Sequence, residues 1–208
     1  VDTNTTEGLQ WLQKAADGGK NLAWYDLGFV YANGVGVKEN IAEAVPYFRK
    51  GAEAGNAECQ TSMGMLYQAG DKFPSGLKAD PIEAIKWYRL AADQDMTEAI
   101  QHLAMIYWMG QGVEADADEA VKWFRKGAVL GNGDCIWGLG KCYLSGNGVA
   151  LDTVMAYALF SASLDGVENP DQKKAMSERR DELGKALTAA QLTKAEPIIK
   201  DWQAKAQK

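Results

Sequence analysis

Apolar and small residues recur along this chain at helical spacing, and the pattern itself recurs. Within one stretch they stand at i, i+4, i+7 and i+8: Ala23, Leu27, Val30 and Tyr31 in the first copy, Cys135, Leu139, Cys142 and Tyr143 in the last. Residues so spaced share one face of an α-helix. The string Leu-Gly-x-x-Tyr marks that helix at Leu27–Tyr31 and Leu139–Tyr143, with near copies at Met63–Tyr67 and Leu103–Tyr107; the tyrosines lie 36, 40 and 36 residues apart. A second apolar stripe follows each of the first three: Ala44/Phe48/Ala52, Ala84/Tyr88/Ala92 and Ala120/Phe124/Ala128. Tyr47, Trp87 and Trp123 accompany those stripes, with Leu159 in the fourth copy. Periods of this size predict stacked helical hairpins rather than one closed globule.

Local signals agree with that division. Position i+5 of the first helix is always small (Gly28, Gly64, Ala104, Gly140), which predicts close approach of the partner helix at some expense of helix propensity. Glycine loops follow at Asn33–Val37, Gly110–Val113 and Gly146–Val149, supplying the positive φ that helix-ending turns need. The second helix opens at Asn40, Asp80, Asp116 or Asp152, with Glu43, Glu83 and Glu119 three residues on, the spacing of a capping box. Pro81 suits the first helical position. Pro46, inside the opening turns of its helix, predicts a kink or a delayed start. The second unit carries an insertion around Asp71–Leu77, expected as a tolerated surface loop.

Residues 7–20 match only a second helix, since Trp11 stands 36 before Tyr47. The reading is therefore a half repeat at 7–20 and full repeats at about 21–56, 57–96, 97–132 and 133–168. Residues 169–208 leave the pattern and predict capping helices, the last opened by the capping box Thr188–Gln191 and bent at Pro197. The chain begins at Val1 rather than Met, which leaves two readings open: the half repeat is a native cap, or a leader or further repeats once stood ahead of it.

Chemistry narrows the function without specifying it. The net charge of −6 argues against a nucleic-acid partner, and no apolar run approaches the ~20 residues that span a bilayer. The glycine loops lack the Gly-Lys-Ser/Thr of a phosphate cradle, so no cofactor is expected. His102 is the only histidine; it occupies the position of Asp26, Ser62 and Gly138, read as a solvent edge, and no metal or catalytic set forms around it. Ser75-Gly76-Leu77-Lys78 has Ser-x-x-Lys spacing, but it lies in the insertion and the companion Ser-Asp-Asn and Lys-Thr-Gly elements are absent, so the match is assigned to chance. Cys59, Cys135 and Cys142 read as small buried hydrophobes. Cys135 and Cys142 lie about 10 Å apart along one helix, too far to pair.

The segments LGFVYANGVGVKENIAEAVPYFRKGAEAGN and WMGQGVEADADEAVKWFRKGAVLGN resemble Sel1-like repeats, relatives of the tetratricopeptide repeat with a longer, glycine-bearing loop. The resemblance covers residues 7 to about 168, and the tail, with LTAAQL and Trp202, is similar to one found in bacterial members. It implies an all-α fold, a right-handed α/α superhelical solenoid with a C-terminal helical cap, that works as a non-enzymatic protein-interaction scaffold or adaptor. It also implies a bacterial periplasmic, secreted or envelope-associated location. In a cysteine-rich subfamily a disulfide joins each second helix to the next first helix. Cys59 and Cys135 match one half of that pair, but Gly51–Ala52 and Gly127–Ala128 hold no cysteine, so the staples should be missing.

Solenoids bind through the concave face lined by their first helices. The positions opposite the packing seam are Tyr25/Phe29/Ala32, Thr61/Met65/Gln68, Gln101/Met105/Trp108 and Trp137/Lys141/Leu144. This stripe is rich in aromatic residues and Met, which interfaces favour. Tyr25, Phe29, Met65, Gln101, Met105, Trp108, Trp137 and Lys141 are the candidate partner-binding residues. The partner is expected to be a protein, seated as a helix or extended segment. Alternatives by analogy are an immunity protein neutralising a secreted type VI effector and a weak β-lactam hydrolase.

Overall fold

A computed structural model describes residues 3–167 and 169–206, and every regular element among them is helical. In chain order these are α1 (Thr3–Asp17), α2 (Asn21–Asn33), α3 (Ile41–Glu53), α4 (Ala57–Ala69), α5 (Pro81–Ala92), α6 (Thr97–Met109), α7 (Ala117–Val129), α8 (Gly133–Ser145), α9 (Thr153–Ser163), α10 (Pro170–Lys185) and α11 (Ala189–Ala206). Short 3-10 turns occupy Gly70–Lys72 and Leu164–Gly166. The chain forms two compact units, Val1–Ala99 and Ile100–Lys208. The first helix, α1, starts at Thr3, ahead of the residue-7 start read from the pattern.

In the first unit α2 packs on α3 and α4 on α5 through an aromatic ring laid over a glycine. The Phe48 ring lies where a Cβ on Gly28 would come within 2.5 Å, and the Tyr88 ring within 2.6 Å of one on Gly64. The second unit repeats the device with Phe160 over Gly140, at 2.7 Å. There the Phe124 ring also covers Gly138, while Ala104 is fully buried. Gly138 is thus not a solvent-edge position, and His102, at the equivalent place in α6, is half-buried.

A second close contact joins each second helix to the next first helix. The Cys59 sulfur packs on Gly51 and the Cys135 sulfur on Gly127. In the intervening copy the pair is Ala91 and Ala99, both fully buried. Bulk on one side is matched by its lack on the other, so total volume at the seam is held constant. All three cysteines are free and buried.

Each second helix is capped as the sequence predicts. Asn40, Asp80 and Asp116 accept from the backbone N–H of Glu43, Glu83 and Glu119 at 3.2, 3.0 and 3.0 Å, and Asp152 accepts from Val154 and Met155. The reciprocal half of the capping box differs. The cap's own N–H donates to the carbonyl of the repeat tyrosine: Asn40 to Tyr31, Asp80 to Tyr67, Asp116 to Tyr107 and Asp152 to Tyr143, at 2.8–3.0 Å. Glu83 and Glu119 are thereby released to Lys86 and Lys122, and Glu119 also accepts from Trp123 Nε1 at 3.0 Å. Thr188 and Gln191 form the complete box, each satisfying the other's backbone N–H.

Pro46 does not delay its helix. α3 starts at Ile41 directly after its cap, and Ala42 and Pro46 are both exposed, so the carbonyl that Pro46 cannot bond lies on the solvent side of the helix. α11 runs through Pro197 without a break. It packs against α9 and α7, and Gln203 Nε2 donates to Asp165 at 2.8 Å.

Gly51→Ala should destabilise the protein by about 1–3 kcal/mol, because the added methyl meets the Cys59 sulfur in a packed seam. Adding Cys59→Ala reproduces the Ala91/Ala99 pair and should recover the part of the loss due to the sulfur, the Trp24 Cβ at 2.9 Å remaining. Urea denaturation of the three variants checks this; a double variant no better than Gly51→Ala would refute the matched-volume account.

Candidate functional site

In the first unit the outward faces of α2 and α4 converge on one cavity of about 330 Å³. Tyr25 and Phe29 come from α2 and Met65 from α4, so three of the sequence-derived candidates share a site. Tyr25 anchors it, its ring 6.1 Å from both Phe29 and the core ring of Phe48. Phe29 remains 45% exposed. Thr61, in the same predicted stripe, also lines the cavity but is buried, its hydroxyl donating to the Ala57 carbonyl at 2.9 Å. A 100° step per residue leaves a position at the stripe's edge free to fall inward.

The sequence stripe missed two walls. One is Phe73, 41% exposed, delivered by the insertion. That loop is built rather than loose. Ser75 is buried, its N–H donates to the Phe73 carbonyl at 2.7 Å, and its hydroxyl accepts from Leu77 N–H at 3.2 Å. Gly76 turns the chain at φ +76°, and Leu77 packs on the core. The Ser75 hydroxyl is therefore a turn staple and not a presented nucleophile. Pro74, next to Phe73, lines a separate cavity of about 830 Å³ under α1, beside the stacked rings of Tyr31 and Tyr47.

The other wall is Met96. At this junction the chain departs from its own rule. The turns before α2, α4 and α8 use Gly19, Gly55 and Gly131 at φ 83–89°, whereas Asp95 holds φ 61° before α6. The following position caps α4 and α8 with Asn56 and Asn132, which accept from Cys59 and Cys135 N–H at 2.7 and 2.8 Å. Before α6 that position is Met96, whose thioether is a poor acceptor. Glu58 and Glu98 complete the cavity, and no Lys, Arg or His lines it. Burial first, and then the Glu98 and Glu58 carboxylates, raise the Tyr25 phenol above its ordinary range.

In the second unit the candidates are engaged differently. The Trp137 ring stands 4.0 Å from that of Phe160, and Trp108 meets Phe124 edge-on at 6.3 Å. Both tryptophans are half-buried, each in ring contact with the aromatic of the second helix. Gln101 braces a junction: its amide donates to Asp134 at 3.1 Å and accepts from Asn132 at 3.4 Å. Met105 is half-buried and Lys141 exposed. Gln68 in the first unit does comparable work by accepting from the Tyr88 hydroxyl at 2.8 Å.

Among the described residues no cluster of His, Cys, Asp and Glu is arranged to hold a metal ion, and no helix is long and apolar enough to cross a membrane. Burial pushes the thiols of Cys59 and Cys135 up to about 12 and that of Cys142 to about 11, away from nucleophilic chemistry at neutral pH.

Five copies of the Sel1 repeat model match the chain, at residues 1–20, 22–56, 57–96, 97–132 and 133–166. A Sel1 repeat protein from Oxalobacter formigenes, solved as a crystal structure, is 30% identical over 87% of this chain and 79% of its own, with a TM-score of 0.69. A protective antigen present in uropathogenic Escherichia coli strains, described as displaying an SLR fold, is 26% identical over 99% of this chain, with a TM-score of 0.57. This chain spans 50% of that antigen's length. No protein of curated function matches.

The raised thiols set an alkaline limit. The folded state keeps its protons above pH 9.0, the ordinary thiol value, where the unfolded chain loses them. Stability should therefore be level below about pH 9 and fall as pH rises toward 12. Urea midpoints across that range check it, alongside iodoacetamide labelling at neutral pH, which should modify the cysteines only after unfolding. Rapid labelling of the folded protein would contradict the assignment.

Proposed function

The chain belongs to the Sel1 repeat family, whose members are generally protein-interaction scaffolds, and from that premise we propose that it is a non-enzymatic adaptor binding a protein partner on the outward faces of its first helices. The observation that carries this reading is the convergence of Tyr25, Phe29 and Met65 on one open apolar cavity. An exposed phenylalanine beside a half-buried tyrosine and methionine has the composition of an interface core, not of a solvated helix face. Trp108 and Trp137 extend the same chemistry in the second unit, each offering the part of its ring that the core does not cover. The description of the uropathogenic neighbour as a protective antigen supports seeking the partner in the bacterial envelope or among secreted proteins.

Affinity capture from envelope and secreted fractions tests the proposal. Phe29→Glu/Met65→Glu and Trp108→Glu are used alongside the unmodified protein, each confirmed folded by circular dichroism. A bound partner should be weakened about tenfold or more, or about 1.4 kcal/mol, by at least one of them. A partner held equally by all three proteins would remove the first-helix face from the account.

A further inference from the structure

We propose that the cavity of the first unit is a docking pocket for a basic, hydrophobic segment of the partner protein, seating one large apolar side chain with a Lys or Arg beside it. This rests on the adaptor reading above and specifies its partner. Ligand sites occupy roughly 300–1,000 Å³. The cavity, at about 330 Å³, is at the low end, sized for an anchoring side chain. Its walls are aromatic or thioether, and Met adapts to irregular apolar shapes.

The stronger argument is that departures from the repeat fall in the cavity wall, at Phe73 and Met96, and directly beside it, at Asp95. The four-residue insertion brings in Phe73 and braces it with a buried serine. Met96 stands where Asn56 and Asn132 cap α4 and α8, although α2 also opens without a side-chain cap, at Lys20. Asp95 takes a left-handed conformation that glycine occupies in the other turns. Breaks of local rule that collect at one cavity mark a site maintained for binding.

Charge selects the occupant. Glu58 and Glu98 each lie in the first turn of a helix, which accounts for their presence there. It does not account for the absence of any cationic side chain from the cavity lining. A Lys or Arg beside the anchor meets two carboxylates at an apolar, poorly screened edge, whereas an acidic segment is repelled. The chain's net charge of −6 acts in the same direction at long range.

A random peptide library displayed on phage, selected on the whole protein, tests this, with enriched peptides synthesised and titrated by fluorescence polarisation. Enriched peptides should carry a large apolar residue next to Lys or Arg. Phe73→Ala should weaken them roughly tenfold, as for an interface anchor. Met96→Asn should raise the thermal midpoint by restoring the cap and still weaken binding, two shifts of opposite sign that a merely structural residue would not give. Glu58→Gln/Glu98→Gln should flatten the salt dependence. No enrichment, enrichment of acidic peptides, or binding unchanged in both Phe73→Ala and Met96→Asn would overturn the proposal. Peptides lost in Trp108→Glu but kept in Phe73→Ala would overturn it while leaving the adaptor reading intact.

Discussion

An aromatic ring pressed onto a position without a side chain is the contact on which this repeat depends. Phe48 on Gly28, Tyr88 on Gly64 and Phe160 on Gly140 draw three of the helix pairs closer than any Cβ would allow, and Ala104 keeps the same position small in the remaining copy. Much else follows from that spacing. The loop joining the helices must reverse over a short distance, which demands left-handed residues such as Gly34 and Gly146 at the helix ends. The second helix must begin close beside the last turn of the first, so its cap N–H reaches the tyrosine carbonyl of Leu-Gly-x-x-Tyr. The tyrosine backbone therefore has a fixed role in every unit, whatever its ring does.

The same rings explain the surface. A glycine covers only part of a ring, and the outward face of the first helix supplies further contact. The cover differs from unit to unit: Tyr25 on Phe48, a Gln68 hydrogen bond to Tyr88, Trp108 on Phe124, Trp137 on Phe160. A large residue at these positions thus begins as packing and becomes available for binding only where it overhangs. In the first unit the overhang is Phe29, opposite Met65, and the insertion closes the space with Phe73. The proposed binding face is a by-product of how the core is sealed, adapted where extra chain could be brought to it.

The periodic parts of this arrangement were legible in the sequence. The tyrosine spacing, the small residue at i+5 and the acid or amide caps report backbone constraints, and these leave the same mark in every copy. What escaped was individual. Thr61 lies at the margin of a helical stripe, where phase alone does not decide inward from outward. Gln101 is held by Asp134 and Asn132 from the next helix hairpin, partners about thirty residues away that no local pattern reveals. The capping boxes were misread in their second half because the competing acceptor, a tyrosine carbonyl, is backbone and invisible to side-chain motifs. Met96 did carry a signal: it stands where Asn56 and Asn132 stand, and aligning the junctions rather than the helices would have exposed it.

The central claim is that ring and glycine act as one unit, and a double-mutant cycle on Gly64→Ala and Tyr88→Leu tests it most directly. If the ring sets the helix spacing, Gly64→Ala alone destabilises strongly. In the Tyr88→Leu background, where the clashing ring is gone, the same change should cost little, giving a coupling energy of about 1–3 kcal/mol in urea denaturation. Additive losses, with Gly64→Ala equally costly in both backgrounds, would mean that the glycine serves some other constraint and that the ring does not seat upon it.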